Sequence, residues 1–421
     1  MDPTSINTYT YELKKEHEQI LVSKGLDIEK IVAFRRNIHE YPELGFEEYE
    51  TQRKIKEHLI SFGIQETQIV VTAKTGLVVD ITGTGAAKDL EENELVKVAF
   101  RADMDGLFMP ENNPDIEYTS KTNAAHMCGH DGHMATLLSA AQVLQKNTDK
   151  IPSNKTVRLL FQPAEEGLAG ARQMIKDGCL DGVQEVYGYH NVPNFHEADV
   201  RVCEGSVMSA SDMIYLTIKG KGGHGSAPYM IQDVISAAAA VHINLLAIRS
   251  RMIESKEHFI FTITKFTSGS TYNVFPDEAE LTGSLRTFNE QARQKIHEKI
   301  RHIATTTAKG FNCECDVYIK PGYPAVVNHK EQTDHVRRVA SKYLGDDKVS
   351  DREVPLTASE DFSYYLQQVP GCFFMLGSGK AGETTRLLHN SNHDYNDSII
   401  GSGAYLFIRI AEDRLKFNIL D

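Results

Sequence analysis

The sequence predicts an α/β protein built on a mostly parallel sheet flanked by helices, with a second α+β domain inserted into it. Three observations predict this. Strand and helix signals alternate from Gly76 to Tyr189, the pattern changes near Asp212 at a glycine-rich stretch, and the first pattern resumes after residue 322. At 421 residues the chain also exceeds one ordinary core.

The elements follow in order. Asp27 caps a helix that carries Ile28, Ile31, Val32 and Ile38 at helical spacing and ends before Pro42. A second helix over Glu48–Phe62 stops at Gly63. Strands at Gly76–Ile81, Val96–Phe100, Val157–Phe161 and Val186–Tyr189 alternate with helices at His133–Leu144 and Ala169–Asp177. From Met213 the order is strand, helix (Gln232–Arg251), two strands (Phe259–Phe266, Ala279–Phe288), helix (Gln291–Lys309) and strand (Glu314–Ile319). That is the split β-α-β-β-α-β order of a ferredoxin-like domain. A helix at Thr333–Leu344, a strand at Phe373–Leu376 and a helix at Ser398–Leu415 complete the first sheet. The expected domains are 20–211 and 322–421 for the large one and 212–321 for the insertion.

Composition narrows the function classes. Lys and Arg number 45 against 58 Asp and Glu, a net charge of −13 with no basic stripe, which argues against nucleic acid and anionic membrane surfaces. Met1–Lys30 is too charged for a signal peptide, and the longest apolar run, Ile235–Ile248, is too short and too polar to span a membrane. Six cysteines without a framework spacing suit free thiols in a reducing compartment, and a cytoplasmic location is expected.

The densest chemical signal is His126-Met-Cys128-Gly-His130-Asp131-Gly-His133. Thiolate, imidazole and carboxylate are the ligand set of zinc and its neighbours. In an extended loop, Cys128 and His130 point the same way. Glu165 and Glu166 follow the strand VRLLF, so one can hold a cation while the other faces water as a base. Read alone, the pair equally suits the first turn of a helix. His190 ends EVYGYH, Asp103 and Asp105 follow VKVAF, and His389 lies in LHNSNHDYND beyond FFML. Singly, each reads as an ordinary polar residue. Together, Asp103, Glu165, Glu166 and His190 sit at the carboxyl rim of predicted parallel strands, where α/β sheets build their sites. GKGGHG and GSGKAG match a dinucleotide fingerprint, but neither opens a βαβ unit.

FRRNIHEYPELGFEEYET, FRADMDGL, AAHMCGHDGHMATLL, QPAEEGLAGA, GYHNVP, GKGGHGSAP, NVFPDEAELTGSLRTF and LHNSNHDYND occur in this order. In them the chain resembles the co-catalytic metallopeptidase and aminoacylase superfamily, specifically its amidohydrolase branch of hippurate hydrolases, N-acetyl-diaminopimelate deacetylases and indole-acetyl amino acid hydrolases. The resemblance implies a zinc-exopeptidase-like fold and a dimerisation role for the inserted domain. It implies hydrolysis of N-acyl amino acids by a homodimer with two divalent ions per subunit, zinc or manganese. Cys128 would bridge the ions, with Glu166 and His389 on one and His130 and His190 on the other. Glu165 would be the general base, and His224 would stabilise the oxyanion from a second subunit. Asn273 and Arg286 would hold the substrate carboxylate, and Asp103 and Asp105 would support the ligands from behind. Tyr229, Ser391 and His393 depart from the family's usual His, Pro and Tyr or Phe, as does the loop GLFMPEN. A carboxypeptidase or dipeptidase of the same superfamily is the alternative reading. Two others are an inactive binding protein on this fold, although no ligand is missing, and a zinc-storage or redox-sensing protein, although paired cysteines do not cluster.

Overall fold

The computed structural model describes residues 16–421 except 90, 92 and 93. The amino-terminal stretch read above as lacking a leader therefore lies, up to residue 15, outside the described residues. The chain forms two compact units. One comprises Met1–Val207, Val327–Val354 and Asp361–Asp421, and the other Met208–Val326 with Pro355–Glu360. The last short segment joins the inserted unit although it lies well beyond the insertion in sequence.

In the larger unit an eight-stranded sheet runs in the order Ile69–Thr72, Gly76–Thr82, Thr156–Gln162, Lys97–Asp103, Glu185–His196, Gly371–Gly379, Val200–Arg201, Val349–Ser350. The four central strands, from Thr156–Gln162 to Gly371–Gly379, are mutually parallel. Their residues are buried almost without interruption, as strands covered on both faces must be. The helix His130–Lys146 packs on Lys97–Asp103 between the helices Ile28–Glu40 and Ile400–Leu415. Asp27 caps Ile28–Glu40 by accepting the Lys30 amide at 3.1 Å. Edge strand Ile69–Thr72, with only its end residues buried, lacks the alternation that marks a strand in sequence.

The smaller unit carries a four-stranded antiparallel sheet in the order Phe259–Ser268, Glu278–Thr287, Ala210–Lys219, Glu314–Pro321. Burial alternates along Ala210–Lys219, so Ile214, Leu216 and Ile218 face one side. They form a core with residues of the helices Val234–Leu245 and Glu290–Gly310, including Ala238, Val241, Ile296 and Ile300. The helices start at Asp233 and Asn289, whose side chains accept the amides of Ile235, Ser236 and Ala292. Among the described residues no helix is long and apolar enough to cross a membrane.

Candidate metal centre

Strand ends of the larger unit bring the candidate ligands together. Lys97–Asp103 ends on Asp103 itself, and Thr156–Gln162 delivers the turn that carries Glu165 and Glu166. His190 lies within Glu185–His196, a strand that continues past the predicted end. The segment around Cys128 is not the extended loop expected from sequence. Gly129 takes a left-handed conformation (φ +90°), and His130 already begins the helix His130–Lys146. A Cβ on Gly129 would stand 2.5 Å from the Asn191 side-chain oxygen, so both backbone sign and close approach require glycine there.

Cys128 belongs to two triads of potential ligand atoms. Those of Cys128, His130 and His190 lie within 4.8 Å of one another, and so do those of Cys128, Glu166 and His389. Cys128 Sγ is 3.4 Å from His190 Nε2, and His389 Nε2 is 3.3 Å from Glu166 Oε1. His130 also groups with Glu165 and Glu166, and with Asp103 and His133. Both buried histidines present Nε2 to the cluster, because His130 Nδ1 is held by the Asp105 carbonyl oxygen and His190 Nδ1 by that of Asn191, each at 2.9 Å.

The residues fit divalent cations. His130 Nε2 is buried without a hydrogen-bond partner, Glu166 Oε1 is buried with His389 Nε2 at 3.3 Å, and sulfur, imidazole nitrogen and carboxylate oxygen converge on the same space. Burial, then His133, holds His190 well below its ordinary value, leaving it neutral and able to ligate. Burial and the Glu166 carboxylate push the Cys128 thiol up, while contacts with Cys128 and Glu166 push His389 up to about 10. Positive charge among these groups would relieve the conflict.

Comparison with known proteins shows the family. Peptidase family M20/M25/M40 matches residues 99–413. Thermostable carboxypeptidase 1 of Saccharolobus solfataricus is 38% identical over 83% of this chain and 86% of its own. N-acetyl-L-cysteine deacetylase of Bacillus subtilis is 37% identical over 87% of this chain and 84% of its own. A Bacillus subtilis structure described as a dinuclear metal-binding peptidase of the M20 family superposes with a TM-score of 0.78 at 29% identity, covering 93% of this chain and 99% of that one. The chain belongs to the M20 peptidase family. It is a metal-dependent hydrolase.

Around this M20 centre, buried side chains hold the candidate ligands in place. Asp103 Oδ1 accepts from His133 Nδ1 at 2.6 Å, and Oδ2 lies 3.5 Å from His130 Nε2. Asp105 accepts the Glu165 and Glu166 amides at 3.0 and 2.9 Å. Residues that sequence reasoning passed over complete the setting. Arg101 links Gln162, Asp103 and Asp361, the Asp361 amide approaches Glu165 Oε1 at 3.4 Å, and Glu48 reaches Ala164. Arg101, Gln162 and Glu48 lie inside the quoted motifs, which was the available signal; Asp361 had none. His389, at φ +58°, is tethered by its amide to the Met127 carbonyl at 2.7 Å, which ties its loop to the neighbour of Cys128.

The remaining candidates belong to the smaller unit. His224 pairs with Val274 in a two-stranded ribbon, Gly223–His224 with Val274–Phe275. Its Nδ1 accepts from the Ser226 hydroxyl and amide at 2.8 and 3.2 Å, and the side chain is exposed. Asn273 is on the same ribbon, its carbonyl accepting the Gly225 amide at 2.8 Å. Arg286 is not. The ribbon adjoins the Glu278 end of Glu278–Thr287, through Gly220 and Gly222 bonding Asp277, whereas Arg286 sits near the other end, opposite Ser211 and Ile260. Within one copy of the unit Asn273 thus adjoins the ribbon of His224, and Arg286 stands on a different strand. Arg286 is half-buried and donates from Nη1 to Ser359 Oγ at 3.0 Å.

Proposed function

We propose that this M20 hydrolase cleaves the amide bond of N-acyl amino acids in the cytoplasm, as a homodimer with two zinc or manganese ions per subunit. The observation that carries the reading is that Cys128 is shared by two ligand triads, with Glu165 beside them. Cys128 would bridge the ions, His130 and His190 completing one site and Glu166 and His389 the other. When bound, the cations would polarise the scissile carbonyl and acidify a water. Glu165 takes the proton of the attacking water and returns it to the departing amine. His224, from the partner subunit, meets the negative charge that develops on the carbonyl oxygen. Asn273 and Arg286 receive the substrate carboxylate. Asp103 and Asp105 hold the ligands and the Glu165–Glu166 turn from behind. All six cysteines are free, which suits a reducing compartment.

A second reading is favoured by one observation, the 38% identity to a protein named carboxypeptidase. Both classes of substrate end in a carboxylate, so the acyl side decides between them. Metal-loaded protein is assayed against N-acetyl, N-benzoyl and indole-acetyl derivatives of several amino acids and against dipeptides with free amino termini. A higher kcat/KM for the acyl derivatives supports the amidohydrolase reading, and a preference for the dipeptides overturns it.

A further inference from the structure

The stretch FRRNIHEYPELGFEEYET supplies no candidate ligand or base, yet one of its side chains enters the site. Glu48 stands at the amino-terminal cap of the helix Tyr49–Ser61 but makes no capping bond to it. Glu43 does that work, accepting the Glu50 and Thr51 amides at 3.1 and 2.7 Å. The Glu48 side chain is instead fully buried and turned away, accepting the Thr75 hydroxyl on Oε2 and the Ala164 amide on Oε1 at 2.9 Å.

Ala164 opens the turn that separates Glu165 from Glu166, and it does so in a left-handed conformation, φ +56°, which a residue with a Cβ rarely adopts unaided. Glu166 and Gly167 continue with non-helical angles. Three successive amides of this turn end on buried carboxylates: Ala164 on Glu48, and Glu165 and Glu166 on the two oxygens of Asp105. Gly45, from the same stretch as Glu48, lies against it as well, since a Cβ there would be 3.0 Å from Ala164 Cα.

We propose that Glu48 is a positioning residue: by accepting the Ala164 amide it fixes the left-handed turn from which Glu165 and Glu166 diverge, one toward the water and the other toward the cation. The proposal rests on the roles given above to Glu165 and Glu166. Burial and the nearby Asp105 carboxylate push Glu48 up to about 7, so an amide side chain at this position is a close mimic that keeps the acceptor.

The test compares Glu48→Gln with Glu48→Ala in the full chain. Zinc affinity is read by competition with a chromophoric chelator, and kcat and KM by turnover of whichever amide substrate the wild type accepts. Glu48→Ala is expected to weaken zinc binding by about 10–100-fold and to lower kcat over a similar range, the usual cost of removing a partner behind the ligands. KM should move much less, and Glu48→Gln should stay near wild type in every measure. A folded Glu48→Ala protein with wild-type zinc affinity and kcat overturns the proposal, as does equal damage in Glu48→Gln. Should Glu48→Ala not fold, Thr75→Val removes the hydroxyl that orients Glu48 and should show a smaller loss of zinc affinity in the same direction; no change there overturns the proposal too. Zinc affinity needs no substrate, so failure of every N-acyl amino acid as a substrate would be distinguishable from failure of this inference.

Discussion

Arg101 donates to Asp103 through Nη1 at 2.6 Å and to Asp361 through Nη2 at 3.1 Å, and all three side chains are at most 1% exposed. Its Nε donates to Gln162 Oε1 at 2.7 Å. One guanidinium thus ties the carboxylate that faces His130 and His133 to the residue whose amide approaches Glu165.

Removing that cation takes a charged partner from two buried carboxylates, which keep their bonds to His133, Gln162 and Ala171, so Arg101→Met should destabilise the protein by about 3–5 kcal/mol. Arg101→Lys keeps the charge but not the fork and should lie between the two. Urea unfolding of the three proteins checks the order. A cost below about 1 kcal/mol for Arg101→Met would mean that other groups compensate both carboxylates.

Cys128 offers a test of the shared ligand. A thiolate bound to cations is shielded from alkylation, and chelation exposes it. Iodoacetamide should modify Cys128 in chelator-treated protein and spare it in metal-loaded protein, as read by peptide mass mapping, because the partly exposed Cys203 and Cys315 react as background. Alkylation of Cys128 in loaded protein without loss of activity would remove it from the centre.

The parts of the candidate site that were legible in sequence are those with a local signature. Cys128 and His130 sit in a dense cluster, and Asp103, Glu165, Glu166 and His190 shared a predicted sheet rim. The ferredoxin-like order of the smaller unit was legible because Ile214, Leu216 and Ile218 alternate with polar or exposed neighbours along one strand. Glu48, Arg101 and Asp361 were not, because their meaning lies in contacts across the chain. Glu48 meets Ala164 over 116 positions and Arg101 meets Asp361 over 260. A lone Glu or Arg carries no periodicity that announces a distant partner. The helix start at His130 was also missed. It follows a left-handed Gly129 that lies close against Asn191, with no capping side chain to announce it.

His224 and Asn273 lie on a ribbon that adjoins the Glu278 end of Glu278–Thr287, and Arg286 sits near the other end of that strand, which bears on assembly. If all three act on one substrate, the first two come most simply from a second copy. A mixture of His224→Ala and Glu165→Gln proteins, each inactive alone, should then recover activity on subunit exchange, toward one quarter of wild type when exchange is random and one site in each heterodimer is intact. Glu165→Gln should retain its metal while losing turnover by about 10²–10⁴-fold, the range for a general base. Absence of recovery despite exchange shown by mass spectrometry of tagged chains would place His224 in its own subunit's site.

Arg286 is the residue proposed above to read a free carboxylate. A carboxylate entering a water-poor cleft needs a fixed cation, and a guanidinium with its forked donors suits it best. Arg286 is half-buried, its Nη1 bonds the neutral Ser359 hydroxyl, and among the described residues no carboxylate forms an ion pair with it. Burial lowers its ordinarily high value, and Asp212 acts in the opposite direction, so the side chain remains a cation with its charge unspent. Arg286→Ala should therefore cost about 2–5 kcal/mol in kcat/KM for an N-acyl amino acid, the range for truncating one partner of a buried charge pair. For the matching carboxamide, which offers no negative charge, the loss should be much smaller. Wild type and Arg286→Ala are each assayed on both compounds. If the two substrates lose the same factor, Arg286 does not read the carboxylate, and the enzyme is an amidase of broader scope.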